Sequence, residues 1–235
     1  MKQGTGELIE LYLENGLTGG RLLCPQNLIP SPGEYLLAYD PVSPTRHGPG
    51  RASSPLAIPL FNAGSIPGGF LVAPPVSQTW RPGTTLSLRG PLGRGFSLPA
   101  SASHVALVAL GETSARLKPL IPVALGQAAS VALVSNLELP DLPPEVEIQP
   151  LSALPEVAQW ADYLALDLPR ESLPELREKL GLGEQAKVMF DAQALVVTPM
   201  PCGGMAECGL CAVTARRGWK MACRDGPVFD LGELI

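Results

Sequence analysis

The sequence predicts a multi-part α+β chain: an N-terminal antiparallel β-barrel, an α/β half, and a small C-terminal domain built round a metal cluster. Three observations carry this. Short apolar runs split by Pro and Gly fill the first part, up to about residue 100. From Ser101 onward, continuous apolar runs alternate with helical stretches. Four of the five cysteines then fall together at the end, as Cys202, Cys208, Cys211 and Cys223.

Composition sets the frame. At 235 residues the chain holds one large domain, or two modest ones and an appendage. A hydrophobic content of 46% is enough for a sizeable core. The 26 prolines and 25 glycines are spread between ordered apolar runs, so they punctuate short strands and do not signal disorder. A formal net charge of -5, with no basic cluster larger than Arg216-Arg217 and Lys220, argues against a nucleic-acid binder. No apolar run approaches the ~18 residues of a membrane span. The N-terminus, MKQGTGELIELYLENG, has no basic segment followed by an apolar one, so no signal peptide is expected. Clustered thiols without such a signal point to a reducing cytoplasm.

The barrel strands are read from alternation and turn signals. Glu7 to Leu13 alternates, and Tyr35 to Tyr39, Leu56 to Leu60, Gly69 to Val72 and Thr84 to Arg89 are further short candidates. Strands at this spacing suggest a small barrel or sandwich. Asp40 to Ser54 is rich in Pro, Gly and Arg and reads as a loop.

In the next part, His104 to Leu110 (HVALVAL) is a strand buried on both faces, and Ser130 to Ser135 is another. Ser114 to Gly126 is a helix weakened by Pro119 and Pro122, with Thr113 or Ser114 as its cap. Glu145 to Leu151 alternates, and Tyr163 to Asp167 is a further strand. Ser172 to Leu180 reads as a helix with Ser172 as N-cap and Pro174 in its first turn. Such alternation implies a parallel sheet with right-handed crossovers. Lys187 to Val197 leads into the cysteines.

The cysteine spacing is C-x5-C-x2-C-x11-C. Thiols packed into a Gly-rich loop, with a last one a dozen residues on, suit a plant-type [2Fe–2S] cluster. Gly203, Gly204 and Gly209 allow the backbone to wrap closely and aim N–H groups at sulfur. A later strand would deliver the fourth thiolate. Structural zinc usually pairs two short C-x2-C knuckles, and here there is one. Two disulfides fit the count, but a chain of this size needs no stapling. A Rieske centre needs a His pair, and the only histidines, His47 and His104, lie far upstream. Cys24, in RLLCP, reads as a small buried hydrophobe.

The tail resembles the iron–sulfur domain of the dihydroorotate dehydrogenase electron-transfer subunit (the PyrK type), within the ferredoxin–NADP reductase superfamily. The residues that carry the resemblance are Cys202-Gly203-Gly204, the pair Cys208 and Cys211, and the run Cys223-Arg224-Asp225-Gly226-Pro227-Val228-Phe229. Upstream, Gly90-Pro91-Leu92-Gly93-Arg94-Gly95-Phe96 looks like the family's GPLGxGF turn at the barrel's end. The resemblance implies a FAD-binding-like barrel over 1–100, a nucleotide-binding-like α/β half over 101–196 and a cluster domain over 197–235. It also implies four Cys ligands, a role in pyrimidine biosynthesis, and a separate catalytic oxidoreductase subunit with FMN, reached from NADH through FAD and the cluster.

The departures from that family shape the expectation. The first cysteine gap is five residues where the family usually has four. By position, Ser54, Pro55, Leu56 and Ala57 would contact the flavin, yet the family's Arg before them is absent and Arg51 is out of register. The Gly-rich flavin turn is replaced by Pro74-Pro75-Val76-Ser77-Gln78-Thr79-Trp80. After the first α/β strand only Gly111 remains of the nucleotide turn, followed by Glu112. These changes predict weak or absent FAD binding and no use of NAD(H). The alternative is a flavin-free iron–sulfur accessory or scaffold subunit of another oxidoreductase. Trp160 and Trp219 are read as packing residues, Arg216, Arg217 and Lys220 as a solvated face, and Asp225 as a turn former.

Overall fold

A computed structural model describes residues 2–41, 56–137, 141–183 and 191–235. Most of the expected 40–54 loop lies outside the described residues, as do Arg51, Ser53, Ser54, Pro55 and residues 187–190 of the expected lead-in to the cysteines.

Six strands close a barrel: β1 (Lys2–Glu14), β2 (Leu17–Leu23), β3 (Tyr35–Tyr39), β4 (Ile58–Ile66), β5 (Gly69–Val72) and β6 (Thr84–Leu92). Their order round the barrel is β1-β2-β5-β4-β3-β6, all antiparallel. Register shifts at Leu8/Glu10, Tyr35/Leu37 and Asn62/Gly64 bend the strands enough to close. Leu8, Leu22, Leu36, Leu60, Phe70 and Leu86 fill the interior. β2 was not legible because Gly19 and Gly20 break its pattern; the Tyr12 ring lies where a Gly19 side chain would stand. β4 begins later than expected and runs further. Asn62 carries it through the bulge, donating to Pro30 O at 3.0 Å and accepting from Gly64 N–H at 2.8 Å.

The second part is a six-stranded sheet in the order β14-β11-β10-β7-β8-β9. Its parallel members are β7 (His104–Ala109), β8 (Ser130–Val134), β9 (Val146–Gln149), β10 (Tyr163–Pro169) and β11 (Asp191–Val197). Helix α1 spans only Leu120–Gly126, half the expected length, because the residues before Pro119 form successive turns. Thr113 Oγ1 accepts from Ala115 N–H, closing a turn and not a helix. α2 (Leu154–Trp160), with Pro155 in its first turn, was not foreseen. Over Arg170–Glu175 the chain forms a 3-10 turn that holds Pro174, and α3 is only Leu176–Lys179, so Ser172 caps no α-helix.

The tail holds a two-strand ribbon of β12 (Ala212–Ala215) and β13 (Gly218–Met221), a helical turn α4 (Ala222–Asp225), β14 (Val228–Asp230) and α5 (Leu231–Leu234). β14 joins the sheet edge antiparallel to β11, from Gln193↔Asp230 to Leu195↔Val228. One core therefore runs from Tyr35, Leu37 and Phe61 of the barrel through the sheet to Val213, Phe229 and Leu231 of the tail. Among the described residues no helix is long and apolar enough to cross a membrane.

Candidate metal centre

The four tail thiols come together in two pairs. Cys202 and Cys208 have their sulfurs 3.7 Å apart, and Cys211 and Cys223 have theirs 3.1 Å apart. Cys202 also interacts with Cys223, which joins the pairs. No disulfide links them, since a bonded pair would sit near 2.05 Å. Among the described residues, no three or more Cys, His, Asp or Glu side chains gather tightly enough for a single metal ion. A two-iron cluster asks instead for two thiolate pairs, which is the donor set present.

Glycine makes the loop possible. Gly203, Gly204 and Gly209 have φ of 52°, 82° and 72°, a conformation that L side chains rarely adopt. Cys223 does not come from a strand, as the spacing suggested. β13 carries the chain in, and Cys223 sits in the following turn, α4. The pairs differ in exposure: Cys211 and Cys223 are 2% and 7% exposed, whereas Cys208 faces solvent. A cavity of about 390 Å³ opens in front of Cys208, Cys211 and Cys223. Burial tends to raise the Cys202 thiol, but backbone hydrogen bonds at Ala206 and Gly204 and the neighbouring thiols hold it below its ordinary value. Burial, then Cys211, push Cys223 up to about 12.

Three side chains from outside the tail hold this loop by its carbonyls. Arg89, on β6, donates through Nη2 to Cys202 O at 2.8 Å and Gly203 O at 3.0 Å. Tyr35 OH, on β3, donates to Cys223 O at 3.1 Å. Arg170, after β10, donates through Nη1 to Leu210 O at 2.9 Å and Ala212 O at 3.0 Å. None of the three carried a sequence signal. The GPLGRGF turn also serves the tail: Arg94 N–H donates to Gly226 O at 2.6 Å, and Gly93 lies against Pro227. Asp225 acts locally, its Oδ2 accepting from Met221 N–H at 2.8 Å.

The other residues singled out from the sequence lie elsewhere. Leu56 is 58% exposed and Ala57 half-buried, both ahead of β4, while Ser54 and Pro55 are outside the described residues. Trp160 is partly exposed and packs edge-on against His104, with ring centroids 4.8 Å apart. Trp219 is not a packing residue: it is 69% exposed, because β13 belongs to a two-strand ribbon with one open face. Arg216 and Arg217 are exposed, and Lys220 pairs with Glu233 at 2.6 Å.

A dinucleotide in such a sheet would sit beyond the carboxyl ends of β7 and β10, where the strand order reverses. The chain's own side chains fill that place. Arg116 makes a fork to Asp167, with Nε–Oδ2 at 2.9 Å and Nη2–Oδ1 at 3.2 Å. Its Nη1 donates to Pro74 O in the barrel at 3.2 Å, and its guanidinium lies over Phe61, 5.9 Å from the ring centroid. Beside it, Glu14 of β1 accepts from Lys118 Nζ at 2.9 Å and Thr113 Oγ1 at 3.3 Å. Burial pushes the Asp167 carboxyl up and Arg116 opposes it. Arg116 is already committed to Asp167 and Pro74, and Gly111 has only ordinary room around it. These residues do not fit a dinucleotide.

Barrel, parallel sheet and cysteine tail together form a ferredoxin–NADP reductase-like fold. A solved structure of an NADH-dependent reduced ferredoxin–NADP oxidoreductase, studied for flavin-based electron bifurcation, is similar over 98% of this chain and 89% of its own, with a TM-score of 0.73 and 17% identity. Phthalate dioxygenase reductase is similar over 85% of this chain and 70% of its own, with a TM-score of 0.55 and 11% identity. The ferredoxin reductase of carbazole 1,9a-dioxygenase is similar over 77% and 66%, with a TM-score of 0.54 and 14% identity. Within that fold, residues 198–235 match the family model of the iron–sulfur cluster binding domain of dihydroorotate dehydrogenase B.

Proposed function

We propose that this chain is an electron-transfer subunit whose Cys202, Cys208, Cys211 and Cys223 hold a [2Fe–2S] cluster. The observation that carries this is the convergence of four thiols as two pairs, 3.7 Å and 3.1 Å apart. The family match over 198–235 and the reductase-like fold support it. We divide the chain into a barrel over 1–100, an α/β half over 101–196 and a cluster domain over 197–235.

When bound, such a cluster accepts and releases one electron at a time. Buried Cys211 and Cys223 would limit the access of water to such a cluster, and exposed Cys208, next to glycine-lined backbone, would let a second redox centre approach. The match to dihydroorotate dehydrogenase B supports a separate catalytic subunit as partner; an FMN on that subunit is what the family resemblance implies, and clustered thiols favour a reducing cytoplasm.

A second reading is a flavin-free relay or accessory subunit of another oxidoreductase. The Arg116–Asp167 fork across the nucleotide crevice favours it. One experiment addresses both. Anaerobically purified protein is assayed for iron, acid-labile sulfide and visible absorption. Iron–sulfide bands with about two irons and two sulfides per chain are expected. One zinc without sulfide would sink the proposal. Stoichiometric flavin bands after gel filtration would exclude the second reading.

A further inference from the structure

We propose that Arg89 is the internal counter-charge of the cluster: a positioning residue of the barrel that clamps the cysteine loop and raises the cluster's reduction potential. The inference rests on the cluster assignment above and adds a residue that the cysteine pattern does not contain.

The starting point is an imbalance. Arg89 is only 8% exposed, and its guanidinium is charged at any working pH. A buried charge is costly unless opposite charge and full hydrogen bonding compensate it. Yet the acceptors of Arg89 are two neutral carbonyls, those of Cys202 and Gly203. Among the described residues, its Nε and Nη1 are buried with no hydrogen-bond partner. Such an arrangement lacks a negative charge, and the loop that Arg89 grips carries the cysteines that supply one.

Four thiolates on a [2Fe–2S] core leave the cluster net negative, and reduction makes it more negative by one. Net charge, hydrogen bonding and exposure set the potential of such clusters. A fixed cation under the loop stabilises the reduced state more than the oxidised one, so it raises the potential. At about 10 Å and an effective dielectric near 20, one unit charge shifts the one-electron equilibrium more than tenfold. Burial protects this effect from salt. The close approach depends on Gly203, where an added Cβ would collide with both Leu37 and the Arg89 guanidinium. Tyr35 provides an internal comparison. It also holds a ligand residue by its carbonyl, but through a neutral hydroxyl.

The test uses the full chain, purified anaerobically, as wild type, R89K, R89Q and Y35F. Iron and sulfide are counted, and the cluster is titrated with dithionite under EPR to obtain its midpoint potential. One electron enters from dithionite, and no bond is made or broken. R89Q is expected to shift the midpoint negative by the equivalent of tenfold or more, ~59 mV for one electron. R89K should stay near wild type, and Y35F should move less than R89Q. Loss of the cluster in R89Q but not in R89K also supports the charge requirement. An intact cluster with an unmoved midpoint in R89Q overturns the inference. So does a shift in Y35F as large as that in R89Q, or equal loss of cluster from R89K and R89Q. Wild-type protein without iron and sulfide is a separate result, which fails the proposed function itself.

Discussion

Arg116→Met should destabilise the fold far more than an average substitution. The fork it breaks is fully internal: Arg116 has 8% of its side chain exposed and Asp167 none. Removing the guanidinium leaves an uncompensated carboxylate between barrel and sheet, a loss of about 3–5 kcal/mol by analogy with other buried pairs. The contact to Pro74 O goes with it. The double variant Arg116→Met/Asp167→Leu removes both charges and should recover most of that loss, because apolar replacement of a buried pair is often neutral or stabilising. Urea unfolding followed by tryptophan fluorescence, which changes most as buried Trp80 is exposed, reads the effect. With a slope near 3 kcal/mol/M, the single variant's midpoint should fall by ~1–2 M. A fall worth less than about 1 kcal/mol, or a double variant no more stable than the single, would refute this account of the crevice.

Three further outcomes are expected. Cys208→Ser should bleach the visible bands, whereas Cys24→Ser should leave them intact. Cys24 lies outside the cluster loop, and burial pushes its thiol up to about 11. Gly203→Ala should lower the iron and sulfide recovered per chain, since φ of 52° and contact with Leu37 and Arg89 leave no room for a methyl group. Stoichiometric NADH should not bleach the cluster of the isolated chain while dithionite does, because Arg116 and Asp167 occupy the crevice; rapid bleaching by NADH would show that a dinucleotide site survives.

What could be read from sequence was what is local. HVALVAL marked β7, and the cysteine spacing with its glycines marked the tail, because each pattern is contained in one short stretch of chain. β2 escaped because Gly19 and Gly20 hide its alternation, and α2 escaped because Pro155 resembles a breaker when it stands in a first turn. The supports of the cluster loop were beyond reach for a different reason. Tyr35, Arg89 and Arg170 act across 188, 113 and about 40 positions of sequence, and nothing near them signals the carbonyls they will meet. The same holds for Arg116, which meets Asp167 51 positions on. Trp219 was misread because indole rings are usually at least partly covered, and only the ribbon topology shows that its face is open.

The reductase-like scaffold gives this chain more than a shape. A loop with three left-handed glycines is costly in conformational entropy. Here its order is imposed from outside. The barrel supplies Tyr35 and Arg89, the α/β half supplies Arg170, and β14 ties the end of the tail into the sheet beside β11. Each anchor grips a backbone carbonyl, which leaves the sulfurs free for metal. The Arg116–Pro74 contact and the Glu14–Lys118 pair then hold barrel and sheet to one another, so the anchors keep a fixed separation. On this view the polar groups in the crevice between β7 and β10 have a structural task. They fix the frame across which Arg89 and Arg170 position one short loop, and the redox centre inherits its geometry from that frame.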